Sequence, residues 1–192
     1  FAKRKRKKIG VLWVDAHGDM NTPATSPSGN VHGMPLASLL GHGPGDLKKV
    51  GGNYEKVKPE NVALVGVRSL DDGERKLIEQ TGVNVYTMSD IDKQGIHRVM
   101  KRAISKVTNG TDFVHVSFDL DAVDPTISPG VGTPVKGGLD YREAHLIMEL
   151  MCESKIMTSL EIVEVNPILD EHNRSAEFAV ELVESAFGKR IL

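Results

Sequence analysis

Short, almost continuous apolar runs alternate along the chain with stretches in which apolar side chains recur every three or four positions. Residues 9–14, 62–67, 83–86, 113–118 and 160–165 form the apolar runs. Continuous rather than alternating hydrophobicity is the pattern of strands covered on both faces. Between the runs, residues 72–81 read as a helix stopped by Gly82, and residues 96–107 as one stopped near Asn109 and Gly110. Asp140 with Glu143 three residues on forms a capping-box start for the next helix. Asn173 or Ser175 caps the last helix, which Gly188 closes. Repeated strand–helix alternation predicts an α/β fold, a three-layer α/β/α arrangement around a mostly parallel sheet. No repeat, low-complexity stretch or linker divides residues 1–192, so one domain is expected.

In such sheets ligands bind beyond the carboxyl ends of the strands. Three polar clusters fall there. Asp15-Ala16-His17-Gly18-Asp19 leaves the first strand, Asp119-Leu120-Asp121 leaves the fourth, and Glu164 closes the fifth, sharing a strand face with Ile162. A lone Asp at a strand end commonly caps a helix or fills a turn. D-x-H-x-D together with D-x-D points instead to a divalent cation, because converging carboxylates repel one another unless a cation compensates them. Carboxylate oxygens with one imidazole suit manganese, magnesium, iron or zinc, and so oxygen-rich a set leans to manganese.

Composition narrows the classes. The chain has 192 residues, 40% hydrophobic and 26% charged, with a formal net charge of −2, which offers no global field for nucleic acid or an anionic membrane. The basic run Lys3 to Lys8 leads straight into a strand and reads as a solvated end. A single cysteine, Cys152, excludes an internal disulfide, reads as a small core residue and suggests a reducing, cytoplasmic setting. No apolar run approaches the ~20 residues that span a bilayer.

The segments Val14-Asp15-Ala16-His17-Gly18-Asp19 and Ser117-Phe118-Asp119-Leu120-Asp121-Ala122-Val123-Asp124-Pro125 resemble the two signature segments of the ureohydrolases, the family of arginases and agmatinases. The similarity runs from about Ile9 to the C-terminus. It implies an arginase/deacetylase-like fold and two Mn2+ ions, with Asp15 and Asp119 bridging them. His17 and Asp121 would complete one ion's shell and Asp19 the other's. It also implies a role in substrate recognition for Asn21, Ser28 and Asn30, whose loop resembles the one that receives an α-carboxylate in arginases. Asp71 and Glu74 resemble the acids that take the α-ammonium, although acids are also favoured in a first helical turn. Thr133 resembles a threonine lining the guanidinium pocket, and Glu164 the carboxylate that pairs with the guanidinium.

The resemblance thus implies manganese-dependent hydrolysis of L-arginine to L-ornithine and urea by a metal-bridging hydroxide. Asp121 would carry a proton to the departing amine and His32, one of seven histidines, would relay protons to solvent. Family members also carry a Gly-Gly-Asp-His-Ser-like segment upstream, and nothing before Asp15 resembles it. The chain is therefore expected to be N-terminally incomplete, with an exposed sheet edge and a weakened second metal site. Family members assemble as trimers or hexamers. Two alternatives stay open: a ureohydrolase acting on agmatine or another guanidino substrate, and a catalytically silent metal-binding module.

Overall fold

The computed structural model describes residues 2–189; Phe1 and residues 190–192, the ends of the expected domain, lie outside them. Five strands form one parallel sheet: β1 (Ile9–Val14), β2 (Val62–Val67), β3 (Asn84–Thr87), β4 (Phe113–Asp119) and β5 (Met157–Val163). Their order is β3-β2-β1-β4-β5. The helices are α1 (Pro35–Leu39), α2 (Gly45–Lys49), α3 (Asp72–Thr81), α4 (Met88–Gln94), α5 (Ile96–Val107), α6 (Tyr141–Ser154) and α7 (Arg174–Ala186). No helix among them is long and apolar enough to cross a membrane.

Strand alternation divides the core in two. Leu12 and Val14 of β1, with Val116 and Phe118 of β4, pack under α5, α6 and α7. Val11 and Trp13 face the other way, against Leu36 of α1 and Leu77 of α3. From β1 the chain steps outward to β2 and β3 with α3 on one face. It then returns past β1 to β4 through α4 and α5 on the other face. The reversal places β1 beside β4 with a topological switch between them, where open parallel sheets form a crevice. Val14 pairs in register with Phe118, so the next residues, Asp15 and Asp119, stand side by side at the strand ends.

Several expected boundaries move. The third strand is Asn84–Thr87 rather than 83–86, because Thr87 and Asp90 form a reciprocal capping box that starts the unanticipated α4. The fifth strand is Met157–Val163 rather than 160–165. Glu164 therefore lies past its end, in a left-handed conformation (φ 63°), and its direction does not follow from strand alternation with Ile162. Asp140 and Glu143 make the expected capping box. Asn173 occupies the N-cap position of α7 but makes no side-chain cap bond. The first-turn N–H groups are taken instead by the Asp170 carboxylate, which accepts from Ser175 and Ala176 at 3.0 and 3.2 Å. Cys152 is half-buried rather than in the core.

Candidate metal and substrate site

The floor of the site is assembled by β1 and β4. Asp15 is 1% exposed, and its Oδ2 accepts from the Trp13 indole N–H at 2.9 Å while Oδ1 accepts from the His17 N–H. Asp119, at the end of β4, caps the short 3-10 turn after it, accepting from the Asp121 N–H at 2.7 Å. Asp121 accepts from the Ala16 N–H at 3.2 Å, and its other oxygen lies 3.0 Å from His17 Nδ1 and 3.0 Å from the Thr133 hydroxyl, which donates to it. Gly18 is required here, since a Cβ would stand 2.7 Å from the Leu70 side chain and 2.9 Å from Glu74 Oε1.

These contacts leave a clear electrostatic record. Burial and the charges of Asp15 and Asp121 push the Asp119 carboxyl up to about 10. Burial raises Asp15 to about 6, against the lowering effect of its His17 and Trp13 hydrogen bonds. Asp19 is likewise raised well above the carboxylate range by burial and by Asp15. His17 goes to about 10, because its bonds to Asp121 and Asp15 outweigh burial. Asp121 is lowered: burial works against its charge, but the His17 contact prevails. Three acids thus bear raised values side by side, the mark of buried negative charge with too little positive charge to balance it.

Above the floor lies a cavity of about 180 Å³ lined by His17, Asp19, Asn21, His32, Gly33, Ser69, Asp71, Glu74, Asp119, Asp121, Thr133 and Glu164. Six of those residues are carboxylic acids and none is Lys or Arg, so the lining selects cations. Asp71 and Glu74 are tied into the start of α3. The Asp71 carboxylate accepts from the Gly73 and Glu74 N–H groups, and Glu74 accepts from the Asp71 N–H. The Asn21 amide donates to Asp71 at 2.6 Å. Burial raises the Glu74 carboxyl. Both acids thus cap α3 and line the cavity.

The sequence-predicted residues fall into two groups. Asp19, Asn21, His32, Asp71, Glu74, Thr133 and Glu164 converge with His17, Asp119 and Asp121 on one cavity, and Asp15 lies directly beneath. Ser28 and Asn30 do not line it. Both are exposed on the loop before α1, where the Ser28 hydroxyl accepts from the Asn30 N–H at 3.1 Å. Trp13, Ser69 and Arg68 carry no motif signal. An indole two residues before an Asp at a strand end is the one cue that could have marked Trp13.

Donor atoms of Asp15, His17 and Asp121 all lie within 4.8 Å of one another, a spacing that fits a single cation. Oxygen donors with one imidazole are the chemistry of a hard or borderline divalent ion. Asp19 and Asp119, the other two expected ligands, are not part of that group; burial first, and neighbouring carboxylates second, raise both.

Parallel sheet, switch-point crevice and acidic, cation-fitting floor define an α/β protein built around a ligand site at its strand ends. The chain belongs to the arginase family, whose sequence model matches residues 1–188. It is 55% identical over 186 residues to the arginase of Bacillus caldovelox, and 54% identical over 184 to that of Bacillus subtilis strain 168. Those matches take in 97% and 96% of this chain and 62% of each relative, so the chain spans just under two thirds of their length. The crystal structure of the Bacillus caldovelox arginase superposes with a TM-score of 0.95, covering 98% of this chain and 63% of that one. The Entamoeba histolytica arginase solved with L-ornithine is 38% identical and superposes with a TM-score of 0.89 over 96% of this chain and 62% of its own.

Proposed function

We propose that the chain carries the site of a manganese-dependent hydrolase that converts L-arginine to L-ornithine and urea. The observation that carries this reading is the small cavity lined by six acids over a floor with cation-ligand spacing. Such a pocket accommodates metal cations together with a substrate that carries a guanidinium at one end and an ammonium at the other. Membership of the arginase family and the names of the Bacillus relatives support the choice of substrate. A single ureohydrolase domain, a homo-oligomer of three or six subunits and a cytoplasmic location belong to the same reading.

Asp15, His17, Asp119 and Asp121 would hold one cation, and Asp15, Asp19 and Asp119 a second. Bound there, divalent cations acidify water toward neutral pH and stabilise developing negative charge. The chain's own residues then do the positioning and the proton transfer. Glu164 pairs with the guanidinium in a charge-assisted contact and fixes its carbon over the floor. Asp71 and Glu74 face the α-ammonium, with Asn21 holding Asp71 in place. Asp121, kept ionised beside His17, takes the proton from the attacking water as the new C–O bond forms. It passes that proton to the departing nitrogen as the C–N bond breaks, which leaves urea and ornithine. Thr133 orients Asp121 through its hydroxyl, and His32 on the rim exchanges the product's proton with solvent.

One observation favours a second reading, a substrate without an α-carboxylate such as agmatine: Ser28 and Asn30, the expected carboxylate contacts, stand outside the cavity lining. Urea release with Mn2+, run side by side on L-arginine and agmatine, decides between them. Equal urea and ornithine from arginine, with agmatine inert, is the expected result. Turnover of agmatine alone establishes the second reading. Mn2+ binding with no urea from either substrate defines a silent metal-binding module.

A further inference from the structure

Arg68 follows β2, and its side chain turns away from solvent toward the loop that carries Asp121 and Thr133. Its guanidinium donates only to neutral backbone carbonyls. Nε reaches Val135 O at 3.2 Å, and Nη1 reaches Ala122 O at 2.9 Å and Gly66 O at 3.4 Å. Nη2 reaches Asp121 O and Val135 O at 2.7 Å each and Val123 O at 3.4 Å. All its nitrogens are thus engaged, and no carboxylate is paired with it in these bonds. Burial lowers the Arg68 pKa despite the fields of Asp121, Asp124 and Asp15, so the cation is held there at a cost.

The carbonyls it gathers are not arbitrary. Those of Asp121, Ala122 and Val123 belong to the turn that aims the Asp121 carboxylate, and Val135 lies two residues beyond Thr133, whose hydroxyl donates to that carboxylate. One planar fork therefore fixes both the floor acid and its hydroxyl partner. The loop closes tightly on the fork, since a Cβ on Gly138 would sit 2.6 Å from Nη2 and 2.7 Å from Ala122 O. The Asp124 carboxylate reinforces the closure by accepting from the N–H groups of Gly137 and Gly138 at 2.8 and 3.3 Å.

We propose that Arg68 is a positioning residue of the cation site: its guanidinium presets the backbone of residues 121–135 so that Asp121 meets the ion without reorganisation. The proposal rests on the metal-site reading above. A lysine cannot replace it, because an ammonium is a compact point charge with three donors and cannot span carbonyls that require a flat fork. Outer groups that orient ligands typically contribute roughly 10–100-fold to metal affinity.

The test titrates Mn2+ into the full chain calorimetrically, alongside Arg68→Lys and Arg68→Ala, with melting temperatures taken in EDTA and ethylguanidinium added to each protein. Wild-type binding tests the metal-site reading first; if the wild-type chain takes up no Mn2+, that reading falls and takes this one with it. Given wild-type binding, both variants should bind roughly 10–100-fold more weakly. With every protein titrated in the same ethylguanidinium, the gap between Arg68→Ala and the wild type should close while that between Arg68→Lys and the wild type stays open. Wild-type affinity in Arg68→Lys would overturn the positioning role and leave the metal site standing. Weakened binding that ethylguanidinium does not restore, accompanied by a matching loss of melting temperature, would overturn it too, since Arg68 would then serve the fold at large. Should Arg68→Ala fail to fold, Arg68→Lys decides alone, with hydrogen exchange across residues 119–138 expected to speed up while α6 and α7 stay protected.

Discussion

On the floor of the cavity, Asp15, Asp119 and Asp121 are buried and hold His17 and one another through hydrogen bonds, whereas on the rim Glu164, His32, Ser28 and Asn30 stand exposed. The floor grows from two adjacent strands whose register aligns Asp15 with Asp119. The rim comes from the loop before α1 and from the residue just beyond β5, which no register aligns. Rigid strands can hold like charges together in a dry place, which is what cation binding and proton transfer require. Loops tolerate variation, and there the shape of a substrate is selected. The comparison predicts that floor changes abolish chemistry and that rim changes adjust affinity.

The largest expected effect is that of Asp121→Asn. Losing a proton carrier and a cation donor should lower Mn2+-dependent urea release by about 10²–10⁴-fold. Near-normal turnover would remove Asp121 from the floor's chemistry.

Next comes the support beneath the floor. Phe118 is fully buried and precedes Asp119 directly, so Phe118→Ala should cost about 3–5 kcal/mol of stability by denaturant unfolding. An unfolding midpoint close to wild type would show that the floor does not depend on this packing.

The third prediction concerns pH in the metal-free chain. The Asp119 and Asp15 carboxyls are raised to about 10 and about 6 in the folded state, so the folded chain binds more protons than the unfolded one above their ordinary value of 3.8. His17, raised from 6.5 to about 10, acts in the same sense: its contribution is complete below 6.5 and lost as the pH climbs through 10. The melting temperature in EDTA should therefore fall steadily from mildly acid to alkaline pH, and saturating Mn2+ should flatten that slope. A melting temperature independent of pH would contradict the charge balance assigned to the floor.

On the rim, Glu164→Gln should leave Mn2+ affinity at its wild-type value and reduce kcat/KM for arginine. One charge-assisted contact of about 1.5–3 kcal/mol corresponds to roughly 10–100-fold. Equal loss of Mn2+ affinity would place Glu164 on the floor instead. Smallest of all, Ser28→Ala should shift stability by no more than about 0.5 kcal/mol and leave Mn2+ binding intact. A raised KM for arginine but not for agmatine in that variant would assign the loop to carboxylate recognition.

Much was determined by local sequence. The strands at 9–14 and 62–67 and the helices at 72–81 and 96–107 follow from unbroken apolar runs, helical periodicity and glycine stops, all short-range signals. The acids and the imidazole of the floor were legible because all lie within three residues of the end of an apolar strand. Tertiary structure alone decided the rest. The contact that seats Gly130 on the start of α7, its N–H donating to the Ser175 hydroxyl at 2.7 Å, depends on how distant segments meet. So does the engagement of Arg68 with carbonyls more than fifty residues away in sequence. The side-by-side placement of Asp15 and Asp119 comes from strand order, which hydrophobic pattern does not encode. Periodicity reports which face of an element is dry, whereas a site is made by the neighbours that face acquires when the chain closes on itself.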